Sequence, residues 1–86
     1  MPYINFDRRI LFAGVDDLKP TTSGELNYLF TQIALNYLMS HDYNYDTMNA
    51  IQGAFKCASD EFSRRVIIPY EQKKIETAGD IDGYKN

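Results

Sequence analysis

The sequence predicts a small all-α domain, on two observations. Apolar residues recur every three or four positions through two long stretches, and the first stretch opens on a Thr-x-x-Glu start signal. With 86 residues the chain is expected to form one helical domain over residues 1–86. A domain of that size buries only about 60–65% of the surface its unfolded chain exposes, so its stability as a monomer is expected to be marginal.

Residues 1–20 carry the weakest pattern and are read as a poorly defined N-terminal segment. Asp7 to Leu18 holds a short element with Ile10, Leu11 and Val15 turned inward, although Gly14 in its interior costs about 1 kcal/mol relative to Ala. The next stretch, TTSGELNYLFTQIALNYLMSHD, predicts a helix over 22–40. Thr22 and Glu25 have capping-box spacing, in which each side chain satisfies a backbone N–H that the first turn leaves unpaired. Leu26, Leu29, Phe30, Ile33, Tyr37 and Leu38 form its apolar face, while Tyr28, Leu35 and Met39 make the other side far from polar. A helix apolar on more than one side calls for more than one neighbour.

After the Asn- and Asp-rich connection SHDYNYDT, a second helix is predicted to start near Asp46 or Thr47 and to keep Met48, Ile51, Phe55, Ala58, Phe62 and Val66 on one stripe. Run on to Ile75 it would be about 45 Å long, more than a domain of this mass needs. Pro69 lacks an N–H and its ring clashes with the carbonyl of Arg65, which costs roughly 3 kcal/mol in a straight helix. A kink or break is therefore expected, leaving a helix over 47–67 and a short helix over 70–77. Gly79 is placed as the helix stop, with 79–86 a frayed tail. Two strong helices bury too little against each other, so either the short N-terminal element supplies a third layer or identical chains pack on the leftover apolar surface; the wide apolar face of the first helix and the length of the second favour a homo-oligomer.

The net charge of −3 and the absence of a basic surplus argue against binding to long nucleic acids. Charge is unevenly distributed: residues 56–75 hold five basic and three acidic side chains, the remainder four and nine. No apolar run is long enough to span a membrane, and MPYINFDRRILF lacks the features of a signal peptide. A single cysteine, Cys57, within an apolar stretch reads as a buried thiol in a reducing compartment, so a cytoplasmic protein is expected.

The basic stretch EFSRRVIIPYEQKKI carries the candidate site. A bend at Pro69 would fold Arg65, Tyr70, Lys73 and Lys74 around one concave spot, where arginine offers two-point binding to carboxylate or phosphate. The competing reading pairs Asp60 with Arg64, Glu61 with Arg65 and Glu71 with Lys74 as solvated surface ion pairs. The tyrosines Tyr28, Tyr37, Tyr43, Tyr45 and Tyr70 suit stacking on a ring but equally suit a core or interface. His41, the only histidine, has no second ligand for a metal and no visible orienting partner for catalysis. Phosphate loops, Cys/His metal spacings and nucleophile motifs are missing, so neither an enzyme nor a cofactor is expected.

The segments GELNYLFTQIALNYL and AIQGAFKCASDEFSRRVIIPYEQKKIETAGDI resemble a family of small uncharacterised proteins of bacteria and tailed phages. Its shared features are an LNY segment, E-F-x-R-R-V, P-Y-E-x-K-K-I and a late G-D, here spread over Gly24 to Asp80. The resemblance implies a bacterial or host-cell cytoplasmic setting and no established activity. It marks Leu26, Asn27, Tyr28, Arg64, Arg65, Pro69, Tyr70, Glu71, Lys73 and Lys74 as motif positions.

The expectation is a non-enzymatic helical homo-oligomer binding a small anionic ligand. Its most concrete form, by analogy with other small helical phage proteins, is a sponge that sequesters a nucleotide immune signal. Arg64, Arg65, Lys73 and Lys74 would meet phosphates, and Tyr70, Tyr28 and Asn27 would contact base or sugar. The alternative expectation is a protein-interaction module that docks a host or phage partner through an exposed apolar helix face.

Overall fold

The computed structural model describes residues 2–85; what was expected of residues 1 and 86 lies outside them. Among the described residues there is no strand, and the chain is all-α. A short helix α1 (Phe6–Ile10) and a 3₁₀ turn (Ala13–Asp17) lead into α2 (Ser23–Met39). Helix α3 (Tyr45–Phe62), a π turn (Ser63–Ile67) and α4 (Ile68–Ala78) follow without interruption, and a last 3₁₀ turn covers Asp82–Tyr84.

Helix α2 starts where its start signal placed it, with one change in bonding. Thr22 Oγ1 accepts from the Glu25 N–H at 3.1 Å. The returning Glu25 carboxylate bonds one residue earlier than a capping box requires, accepting from the Thr21 N–H (2.8 Å) and the Thr21 hydroxyl (3.0 Å). Those two bonds hold the Glu25 carboxyl below its usual pKa, the backbone bond being the larger cause. Helix α3 starts one residue before the expected range, because Asn44 Oδ1 accepts from the Thr47 N–H at 2.9 Å and so acts as its cap.

The expected break at Pro69 is replaced by a local widening of the helix. The Ile68 N–H bonds to the Ser63 carbonyl, five residues back, and Pro69 then takes the second position of α4. An insertion of this kind moves the carbonyl that the proline ring would strike, and helical bonding continues on the far side. Past Phe62 the expected stripe residue Val66 stands exposed, as does Ile67, at 50% and 40%. At the far end Gly79 closes α4 with φ 85° and its N–H on the Ile75 carbonyl at 2.9 Å, a backbone conformation that side chains disfavour.

The main surprise is burial. Among the described residues no side chain is buried. Ile10, Leu11 and Val15 do not turn inward as expected but stand exposed, because neither the five-residue α1 nor the 3₁₀ turn after it packs substantially on the other helices. Cys57 is exposed as well, correcting the expectation of a buried thiol: one antiparallel helix pair has a single inner face, and Cys57 is not on it. The radius of gyration is 17.5 Å, against about 12 Å for a compact chain of this length. No described helix is long and apolar enough to cross a membrane.

Candidate functional site

Helices α2 and α3, joined by residues 40–44, form an open hairpin whose inner face is a groove of about 930 Å³. The apolar stripe of α2 supplies Leu26, Phe30, Ile33 and Tyr37, and that of α3 supplies Ile51, Phe55, Ala58 and Phe62. These are the positions that the three- and four-residue spacing placed on one face. Ala34, Ala50 and Ala54 line it as well, and Ser59 is the one further polar side chain. No charged residue lines the groove.

Several contacts gather at the end of α2, where the connection begins. The Tyr37 carbonyl accepts from the Ser40 hydroxyl at 3.0 Å, and His41 Nδ1 lies 2.7 Å from the same oxygen. The imidazole also stacks on the Tyr37 ring, centroids 3.9 Å apart and planes within 17°. His41 therefore does have an orienting partner, one that the sequence concealed because it sits a full turn earlier. Its contacts add to the backbone bonds that already close this helix end, where the Ser40 N–H reaches the Asn36 and Tyr37 carbonyls and the His41 N–H reaches that of Leu38.

The basic residues occupy the π turn and α4. Arg64 donates to Glu61 at 2.8 Å, with Glu61 18% and Arg64 62% exposed. Lys56 pairs with Asp60 at 3.0 Å. The expected pairs were Asp60 with Arg64, Glu61 with Arg65 and Glu71 with Lys74, so the partners are permuted. Lys74 instead lies over the Tyr70 ring, 5.5 Å from its centroid, a contact worth about 0.5–1 kcal/mol at an exposed site. Among the described residues, neither Arg65 nor Lys73 has a carboxylate within ion-pairing distance.

Tyr28 and Asn27 are carried by a different helix. Tyr28 lines a second, more open cleft of about 440 Å³ with Lys19, Pro20 and Gly24, and none of the residues from 56 to 75 takes part in it. The Asn27 backbone carbonyl accepts from the Thr31 hydroxyl at 2.9 Å, and the Asn27 side-chain Oδ1 lies 3.4 Å from the same hydroxyl. The fold thus brings Tyr70 and Lys74 into contact and places Arg64 and Arg65 on the adjoining turn, with Tyr28 and Asn27 in a separate setting. The sequence suggested an exposed apolar helix face as a docking surface, but not a groove shared between two helices. The signal was available in the width of the α2 stripe and the shortage of chain to cover it.

Among the described residues no group of His, Cys, Asp and Glu is arranged to hold a metal ion. A small all-α domain built around an uncovered helical hairpin is the class that these observations define. The chain belongs to the family described as Domain of unknown function (DUF6899), which it matches over residues 1–81. The match takes in the first twenty residues, so the N-terminal segment is part of the family pattern and not an appendage to it. No curated protein and no solved structure matches the chain.

Proposed function

We propose that the protein is a non-enzymatic interaction module whose working surface is the α2–α3 groove, filled in use by apolar helix from another polypeptide chain. One observation carries this reading: a groove of about 930 Å³ without a charged residue in a chain with no buried side chain among those described. Folding must offset the conformational entropy of every ordered residue, and apolar burial is the main term available to do so. A hairpin that leaves its apolar face in water lacks that term until another chain supplies it. The motif resemblance supports a bacterial or phage-infected cytoplasm as the setting. Native mass measurement of the protein purified from such cells tests the reading. Recovery in a fixed ratio with another chain, lost when Ala54 becomes Glu, is the expected result; a well-folded free monomer would refute it.

A specific observation favours a second reading, the binding of a small anion. Arg65 and Lys73 lack carboxylate partners among the described residues, and Lys74 is held over Tyr70. A phosphate-bearing ligand, most concretely a nucleotide signal sequestered by the protein, would meet this cationic surplus beside an aromatic ring. Thermal melts across cyclic di- and trinucleotides and ADP-ribose derivatives decide it, and an unchanged midpoint with all of them retires it.

A further inference from the structure

We propose that the chain filling the groove is a second copy of this protein, packed groove to groove about a two-fold axis so that two hairpins make a four-helix bundle. The proposal rests on the interaction-module reading and names its partner.

The area of the chain is the first argument. Its accessible surface is 7893 Å², whereas a folded monomer of 9.9 kDa exposes roughly 5,200 Å². The excess, about 2,700 Å² per chain, is what must be covered for the protein to reach ordinary compactness. Obligate homodimers bury about 2,000–5,000 Å² in total over both partners, so one isologous contact can remove a large share of that excess.

Self-complementarity is the second argument. Two-fold symmetry sets a surface patch against its own copy, so a charged patch would meet like charge. The groove has none to oppose. Its relief also suits a copy of itself, because both helices mix large and small side chains: Ala34 lies among Phe30, Ile33 and Tyr37 on α2, and Ala50, Ala54 and Ala58 lie among Ile51, Phe55 and Phe62 on α3. Large residues facing small ones across an interface are what interdigitation needs.

Matched lengths are the third argument. Helices α2 and α3 have 17 and 18 residues and are joined by a short connection, the proportions of half an up-down bundle. Two such hairpins bring four helices of nearly equal length around one core. The π turn and α4 continue beyond it, which agrees with a longest dimension of 51 Å.

Sedimentation equilibrium and native mass spectrometry of the purified chain, with circular-dichroism melts over a hundredfold range of concentration, test this. The expected result is a species of about twice the 9.9 kDa chain mass, with a Tm that rises with concentration as linked association requires. The substitution Ala54→Glu puts a carboxylate into the apolar interface of both copies and should weaken the dimer roughly a hundredfold or more. Should that variant merely unfold, the concentration dependence of the unaltered protein still decides. A folded monomer with a concentration-independent Tm overturns both this proposal and the interaction-module reading. A chain that is unfolded alone and folds only with a different polypeptide overturns the second-copy proposal and leaves that reading standing. A trimer or larger ring overturns the two-fold bundle.

Discussion

The Ile68 N–H bonds to the carbonyl of Ser63, five residues back, one position before Pro69. That bond is how the chain accommodates a proline inside a helical run: the wider turn takes the strain that a straight helix would put on the Arg65 carbonyl. Replacing Pro69 with Ala removes the cause of the insertion and supplies an N–H. Stability should rise, but by less than the roughly 3 kcal/mol by which proline disfavours a regular helix, because the π turn already relieves part of the clash. Denaturant unfolding measures the gain. Amide exchange should show the added N–H at residue 69 protected; a loss of stability would mean that the π turn is maintained by something other than the proline.

Glu25 gives a pH prediction with a definite sign. Its pKa is lowered in the folded state, first by the backbone bond from Thr21 and then by the Thr21 hydroxyl. A carboxylate with a depressed folded pKa contributes stability that is fully present above its unfolded value. The contribution is lost as pH falls through the lower folded value. The Tm advantage of the unaltered protein over Glu25→Gln, which keeps an acceptor but cannot ionise, should therefore be present at neutral pH and vanish on acidification below the usual carboxylate range. A difference unchanged at acid pH would show that the charge contributes nothing. Thr22→Ala, which removes the other half of the cap, should cost about 1 kcal/mol at neutral pH.

Phe55 and Phe30 distinguish a groove that is covered from one that is wet. Each is exposed in the single chain, Phe55 at 42% and Phe30 at 51%. Truncating a buried phenylalanine to Ala costs about 3–5 kcal/mol, while surface substitutions usually fall within about 0.5 kcal/mol. If the groove is filled in solution, Phe55→Ala and Phe30→Ala should fall in the first range, and Tyr43→Ala, in the connection and outside the groove, in the second. Chemical unfolding of the three variants at one protein concentration provides the comparison.

Local features of the fold were legible in the sequence to different degrees, and for different reasons. Thr22 and Glu25 announced the start of α2, and Gly79 its counterpart at the end of α4, because caps depend on a few neighbouring residues. The stripe Ile51, Phe55, Ala58, Phe62 also held, since periodicity alone fixes which residues share a helix face. Pro69 signalled trouble but not its form: a break, a kink and a π turn all satisfy the same missing N–H, and only backbone geometry chooses between them. Ion-pair partners were permuted for a related reason. Spacings of three and four are equally good on a helix surface, so Glu61 had Arg64 and Arg65 both within reach, and it is Arg64 that pairs with it. Burial was misread at Ile10, Leu11, Val15 and Cys57 because an apolar position shows only that a side chain prefers cover.

Arg64 and Arg65, adjacent in sequence, should behave differently toward an anion. Arg64 already donates to Glu61 at 2.8 Å, and that carboxylate is the less exposed member of the pair. Recruiting Arg64 to a phosphate means giving up an existing bond, whereas Arg65 has no carboxylate to leave among the described residues. If the basic segment binds a nucleotide, Arg65→Ala and Lys73→Ala should each weaken binding more than Arg64→Ala does. A ligand at 100 times its dissociation constant adds about 2.7 kcal/mol of stability, several degrees in Tm for a domain of this size. The shift should shrink with added salt, because charge–charge attraction at an exposed site is screened. Glu61→Gln supplies the counter-check: it frees Arg64 and should strengthen binding if phosphate is the ligand. Titration calorimetry on the four variants at low and physiological salt reads all of these effects, and equal losses for Arg64→Ala and Arg65→Ala would show that the Glu61 bond does not set the preference.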